Sequence, residues 1–158
     1  KVSMTRLSNS LSHYKWTSQG IEYHFETDTG NRISVLFWNF SETIKEIFNE
    51  IQIYSLSIEN HLRDATRRTN ESDEKTRNTI LLILKEFFLK NNNVILFSVL
   101  ESTDGREKAR ERLFYKKWYN QFGRDICDME QLPSLEIDSA NIISFLIFPK
   151  NFKRKKEI

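Results

Sequence analysis

At 158 residues the chain fits one domain, and with 39% hydrophobic and 13% aromatic residues it carries enough apolar material for a core, which excludes a wholly disordered chain. Two Pro and four Gly exclude a collagen-like or linker-rich chain, and a single cysteine, Cys127, excludes an internal disulfide. The net charge of +2 is unevenly spread. Residues 106–117 and the tail 150–158 each carry +4, so the remainder is acidic at −6.

No apolar stretch approaches the ~20 residues that span a bilayer, and the first thirteen residues lack the apolar core of a signal peptide. A cytoplasmic protein without a membrane partner is the expectation. Residues 1–19 read as an N-terminal arm, 20–149 as a single α+β domain and 150–158 as a basic C-terminal tail.

Within the domain, Ile21, Tyr23 and Phe25 alternate with Glu22, His24 and Glu26, the period-two pattern of a half-buried strand with His24 on its exposed, polar face. Asp28, Thr29, Gly30 and Asn31 supply a turn. The return strand, 32–40, sets Ile33, Val35 and Phe37 on one face and Leu36 and Trp38 on the other. Ser41 is placed to cap a short helix with Ile44, Ile47, Phe48 and Ile51 at helical spacing. Residues 52–58 read as a third strand, and 59–73 as a charged loop holding His61, Arg63, Asp64, Arg67 and Arg68.

Ser72 or Asp73 then caps a helix running to about residue 90. Its Ile80, Leu81, Leu82, Ile83, Leu84, Phe87, Phe88 and Leu89 are apolar almost all round, which makes it central. Asn91, Asn92 and Asn93 end it, and 94–100 is a continuous apolar run, typical of a buried strand. Asp104 and Gly105 turn the chain into a helix over 106–122, with Gly123 as its stop. After a loop around Pro133, residues 135–137 and 142–148 read as further strands. The sum is an α+β fold: a mainly antiparallel sheet of about five to six strands with two principal helices packed on it.

The helix over 106–122 is the segment most able to carry a function. At 100° per residue, Phe114, Trp118 and Phe122 form one apolar stripe, extended by Tyr115 and Tyr119, while Ala109 and Leu113 form another. Arg106, Arg110 and Lys117 fall between these patches. A guanidinium held there needs a carboxylate, which makes Asp104, Arg106 and Arg110 candidates for a structural salt-bridge set. Lys108, Arg112 and Lys116 face away and, with Tyr115 and Tyr119, form the candidate binding set; Trp118 would add an aromatic anchor. Taken singly, each residue is accounted for by a turn, a helix cap or a solvated face. The clustering of six basic residues with Trp and Tyr in an acidic body is what singles the segment out.

That segment also carries a resemblance. The run Asp104, Gly105, Arg106, then Ala109, Arg110, then Arg112, Leu113, Phe114, then Lys117, Trp118, Tyr119 resembles the signature of a small uncharacterised bacterial family of Bacteroidetes type, a domain of unknown function. The hairpin from Phe25 through Phe37 and the helix with Thr79, Ile80, Phe87 and Phe88 are similar too. The resemblance spans most of residues 20–148, leaves out the basic tail, and implies a shared fold without implying an activity.

Other constellations fail. There is no phosphate loop, dinucleotide glycine fingerprint or nucleophile elbow, and His13, His24 and His61 match no metal-ligand spacing, so no cofactor and no metal are expected. Cys127 has no base nearby in sequence and reads as a buried, idle thiol. Three functions follow in order: a non-enzymatic interaction or regulatory module with a protein partner; a nucleic-acid-binding protein using residues 106–117 and the tail; and a small hydrolase or nuclease using Asp104, Arg110 and His61.

Overall fold

The computed structural model describes residues 12–39, 52–61, 74–100, 111–150 and 152, with the backbone alone for 113–116. The short helix expected over 41–51, the capping pair Ser72 and Asp73, and Asp104, Arg106, Lys108 and Arg110 lie outside the described residues.

The alternation read from Ile21 onward lays down an antiparallel meander. β2 (Glu22–Glu26) and β3 (Arg32–Asn39) pair with Phe25 opposite Ile33 and Tyr23 opposite Val35. β1 (Trp16–Gln19) joins β2 across a two-residue loop whose Gly20 sits at φ 62°, a conformation that costs glycine nothing. Residues 16–19 are thus an edge strand drawn from the segment expected as an arm. The residues before it are anchored as well: Tyr14 is buried, its N–H donates to Thr79 Oγ1 at 2.8 Å, and Asn78 Nδ2 donates to the Ser12 carbonyl at 2.9 Å. β4 (Gln52–His61) pairs antiparallel with β3 along its whole length and takes Glu59, Asn60 and His61 out of the expected loop.

α1 (Glu74–Lys90) then crosses back, and β5 (Val94–Val99) pairs parallel with β4, Ile53 opposite Ile95. A parallel pair requires such a crossover, because a tight turn can only reverse the chain. A second helix, α2 (Arg112–Gly123), is wound with π geometry. It leads to β6 (Cys127–Gln131), the small hairpin β7 (Leu135–Ile137) and β8 (Ala140–Ile142), and β9 (Ser144–Pro149).

The main sheet has seven strands in the order β1-β2-β3-β4-β5-β9-β6, and β7-β8 form a separate two-stranded sheet. The α+β class holds, while the sheet is larger than five to six strands and is mixed rather than purely antiparallel. The additional strands are β1 and β6, each at an edge, where pairing with one neighbour suffices and the sequence lacks a long apolar run.

The core lies between α1 and one face of this sheet. Phe87 of α1 stacks on Phe37 of β3 with ring centroids 3.9 Å apart and planes 4° off parallel, and Tyr23 meets Phe37 edge-on. Ile80, Ile83, Leu84 and Phe88 join Val35, Leu56, Val94, Leu96 and Ile147. Side chains of alternate parity on the central strands, Ile53, Ile95 and Phe148, form a second buried cluster on the opposite face, with Phe97, Leu146 and Phe152 against it. Burial of each such side chain stabilises by roughly 1.5–3 kcal/mol, so both clusters matter to stability. Among the described residues, no helix is long and apolar enough to cross a membrane.

Candidate functional site

Three regions present chemistry. The first is α2, the described part of the basic segment. Arg112 and Lys117 are exposed, whereas Trp118 is 5% exposed and belongs to the core beside Ile126. Trp118 is therefore unavailable as a surface anchor. Lys117, expected between apolar patches, points to solvent, while the inward row is the expected stripe of Trp118, Tyr119 and Phe122, extended by Gly123. Tyr119 is half-buried, and its hydroxyl accepts a hydrogen bond from the Met129 N–H at 3.1 Å, tying α2 to β6. Of Tyr115 and Lys116 the backbone alone is described. The helix stops at Gly123 as expected, but without the positive φ of a glycine cap; a Cβ on it would lie 3.2 Å from Tyr119 Cδ2 and 3.7 Å from Leu81 Cδ2. Its value is the close approach of α2 to α1.

The second region is the face of β2, β3 and β4 away from α1. Strand register arranges it as a grid: His24 opposite Ser34, Ser34 opposite Glu59, Arg32 opposite His61, and Glu22 opposite Leu36. Ser34 is small and its neighbours are long, so the face dips over it into a concavity of about 400 Å³ lined by Glu22, His24, Arg32, Ser34, Leu36, Glu59 and His61. His24 is engaged at both ring nitrogens, Nδ1 with Ser34 Oγ at 2.8 Å and Nε2 with Glu22 Oε2 at 3.4 Å. It is half-buried rather than merely exposed on a strand face. On the β4 wall of the same concavity, His61 Nε2 lies 3.5 Å from Glu59 Oε2. Sequence separates His61 from His24 by thirty-seven positions; only the pairing of both strands with β3 brings them together. The signal available in sequence was parity, since Glu22, His24, Arg32 and Ser34 all fall on the polar side of their strands.

The third region is the β7-β8 hairpin. Leu135 and Ile137 lie on one face of β7 and pair with Ile142 and Ala140. They are 58% and 53% exposed, so this face is apolar and open. The turn places Asp138 at φ 50° and Ser139 at φ 65°, the paired positive values that a tight two-residue hairpin demands. Residues 127–142 include Asp128, Glu130, Glu136 and Asp138 and no Lys, Arg or His.

Two features elsewhere are structural. Cys127 is buried beside α2, and burial, reinforced by the Asp128 carboxylate against a smaller opposing effect of Lys150, pushes its thiol up to about 12. Such a thiol carries no thiolate for chemistry at neutral pH. Lys150, the first residue of the basic tail, donates to Asp128 Oδ1 at 3.2 Å. Among the described residues, no group of three or more His, Cys, Asp or Glu side chains is placed to hold a metal ion.

Fold and surface together define a small α+β domain in which one helix is buried on a mixed sheet and a short acidic hairpin projects apolar side chains. The chain belongs to a family of unknown function, DUF6169, whose pattern matches residues 72–153. The matched stretch takes in α1, β5, α2 and β6 through β9 and leaves the β1–β4 meander outside, a narrower span than residues 20–148. No curated protein and no solved structure matches the chain.

Proposed function

We propose that the protein is an interaction module that docks a protein partner through the β7-β8 hairpin. The observation that carries this reading is the exposure of Leu135 and Ile137 side by side on a hairpin outside the main sheet. Two large aliphatic side chains held together in water have no role in the core, and apolar patches rimmed by polar groups are characteristic of contact sites. Glu130, Glu136 and Asp138 set the chemistry of the partner: an apolar cleft on a protein surface rimmed by Lys or Arg. The hairpin lies inside the stretch that defines the family, which makes the docking role one its members would share.

The test compares capture of partners from lysate by the wild-type chain and by a Leu135→Glu, Ile137→Glu double variant with an unchanged melting curve. The reading requires a partner retained by the wild type, lost by the variant, and weakened in 0.5 M salt as a basic rim demands. A partner set indifferent to the hairpin variant overturns it.

Nucleic-acid binding is the second reading, favoured by the exposure of Arg112 and Lys117 on α2. Lys108, Lys116, Tyr115 and the tail 150–158 would extend that surface, Tyr119 less so because its hydroxyl is engaged. Absence of binding to RNA and DNA at low salt removes it. The compartment fitting both readings is the bacterial cytoplasm, where a lone buried thiol such as Cys127 stays reduced; the bacterial setting rests on the motif resemblance alone.

A further inference from the structure

The docking hairpin leaves the concavity on the meander without a role. We infer that this concavity is an esterase-type site in which Ser34 is the nucleophile, His24 its general base and Glu22 the group that positions His24. The reading is independent of the hairpin, since its residues lie on β2, β3 and β4.

A carboxylate only accepts hydrogen bonds, so Glu22 Oε2, 3.4 Å from His24 Nε2, favours the tautomer with the proton on that nitrogen. Nδ1 then carries the lone pair, and the Ser34 hydroxyl 2.8 Å away donates to it. A hydroxyl donating to an imidazole that is itself oriented by a carboxylate is the order of contacts that activates serine, here with the two ring nitrogens in exchanged roles. Ser34 is 3% exposed and lies at the floor of the concavity, so the open side is the one route by which a reagent would reach it. Backbone N–H groups in the middle of β3 are spent on its two neighbours and cannot stabilise an oxyanion. Arg32, two residues along β3 on the same face, and His61 opposite it supply side-chain N–H donors instead.

The substrate class is a small carboxylic ester, with Leu36 offering the apolar part of the lining. Ser34 Oγ forms a bond to the carbonyl carbon while its proton passes to His24 Nδ1. The tetrahedral adduct collapses, the carbon–oxygen bond to the alcohol breaks, and His24 Nδ1 returns the proton to the departing alcohol. Water then attacks the acyl-Ser34 ester with His24 taking its proton, and release of the carboxylic acid restores the Ser34 hydroxyl. No oxidant, metal or co-reactant other than water enters.

The experiment uses the full chain and a fluorophosphonate probe, whose phosphorus bonds to an activated serine with loss of fluoride, located by peptide mapping. A small chromogenic ester serves as the turnover assay. The expected result is a single adduct on Ser34, absent in Ser34→Ala. Labelling and turnover should each slow by about 100-fold or more in His24→Gln, as the loss of a general base implies. Glu22→Gln should slow labelling about tenfold and Glu22→Asp should restore part of it, which a purely structural glutamate would not do. Melting curves of the four variants confirm that folding is intact, and Thr17→Ala, on the same face of β1, serves as a folded control. Failure to label Ser34 in the folded wild type overturns the assignment, as does labelling at the same rate in folded His24→Gln.

Discussion

The guanidinium of Arg77 lies over the ring of Phe122, its central carbon 3.4 Å from the ring centroid. Arg77 sits in the first turns of α1 and Phe122 in the last turn of α2, so this contact joins the two helices. The side chain is 8% exposed, and its Nε and Nη2 both donate to Asn78 Oδ1, at 3.1 and 3.0 Å. Its ion pair with Glu74 at 3.4 Å adds little, because that carboxylate is 77% exposed.

Arg77→Ala removes a desolvated cation–π contact and leaves a void against Phe122, and should destabilise the protein by about 2–3 kcal/mol in urea unfolding. Arg77→Lys should still cost about 1 kcal/mol, because an ammonium lacks the planar surface that covers the ring. Identical midpoints for Lys and Arg at this position would show that the stacking contributes nothing.

Gly123 and Tyr119 make a coupled pair. A Cβ at 123 falls 3.2 Å from Tyr119 Cδ2, and the Tyr119 ring cannot yield freely because its hydroxyl holds the Met129 N–H. Gly123→Ala should therefore cost about 1 kcal/mol despite the better helix propensity of alanine. In a Tyr119→Ala background the same substitution keeps only ordinary van der Waals contacts, with Leu81 Cδ2 and the residue 119 Cβ at 3.7 Å, and should stabilise by a few tenths to about 1 kcal/mol. A double-mutant cycle reads the change of sign; additive effects would disprove the contact.

The turn of the β7-β8 hairpin is strained, with Asp138 and Ser139 both at positive φ. Asn followed by Gly meets that geometry at lower cost. Asp138→Asn combined with Ser139→Gly should stabilise the hairpin by about 1 kcal/mol and slow exchange of its amide protons about fivefold. Unchanged exchange rates would mean that the turn does not limit hairpin opening.

Alkaline stability follows from two buried groups. The Cys127 thiol, ordinarily near 9.0, is pushed up to about 12 by burial, and burial together with the Glu86 carboxylate raises the Tyr23 hydroxyl above its usual 10.0. Each folded value lies above the unfolded one, so the native state keeps a proton that the unfolded chain has lost. Stability is complete below pH 9 and falls as pH rises, between about 9 and 12 for Cys127 and from 10 upward for Tyr23. The slope from each group approaches about 1.4 kcal/mol per pH unit. Cys127→Ala should flatten the decline between pH 9 and 10, leaving the part that begins at pH 10, and Tyr23→Phe should reduce that part. Melting temperatures across pH 8–11 measure both effects.

What is legible in the sequence is what depends on local period and apolar density. Alternation around Tyr23 and Phe25 and again at Ile33, Val35 and Phe37 defined β2 and β3, and the nearly all-round apolar surface of α1 placed it at the centre. These patterns survive folding because each element buries the face it displays. The basic segment is legible as a cluster of charge, and its apolar stripe of Trp118, Tyr119 and Phe122 does turn inward; the exposure of Lys117 and the depth to which Trp118 is buried are not legible. Trp118 and Lys117 are adjacent in sequence, yet the packing of the helix puts one in the core and the other in solvent.

The sequence by itself determined the α+β class, the central helix, the hairpin of β2 and β3, and a lone thiol without a partner. Tertiary structure decided everything that depends on register between distant segments. β1 and β6 are strands because neighbours offer them an edge, and β4 with β5 is parallel because α1 intervenes. The same registers carry His24 to Ser34 and His61 to the opposite wall, and they leave Leu135 and Ile137 outside the main sheet. Hydrophobic patterning is a property of one segment, readable from its own residues. Juxtaposition belongs to pairs of segments, and hydrogen bonds between strands are the first place where it is written.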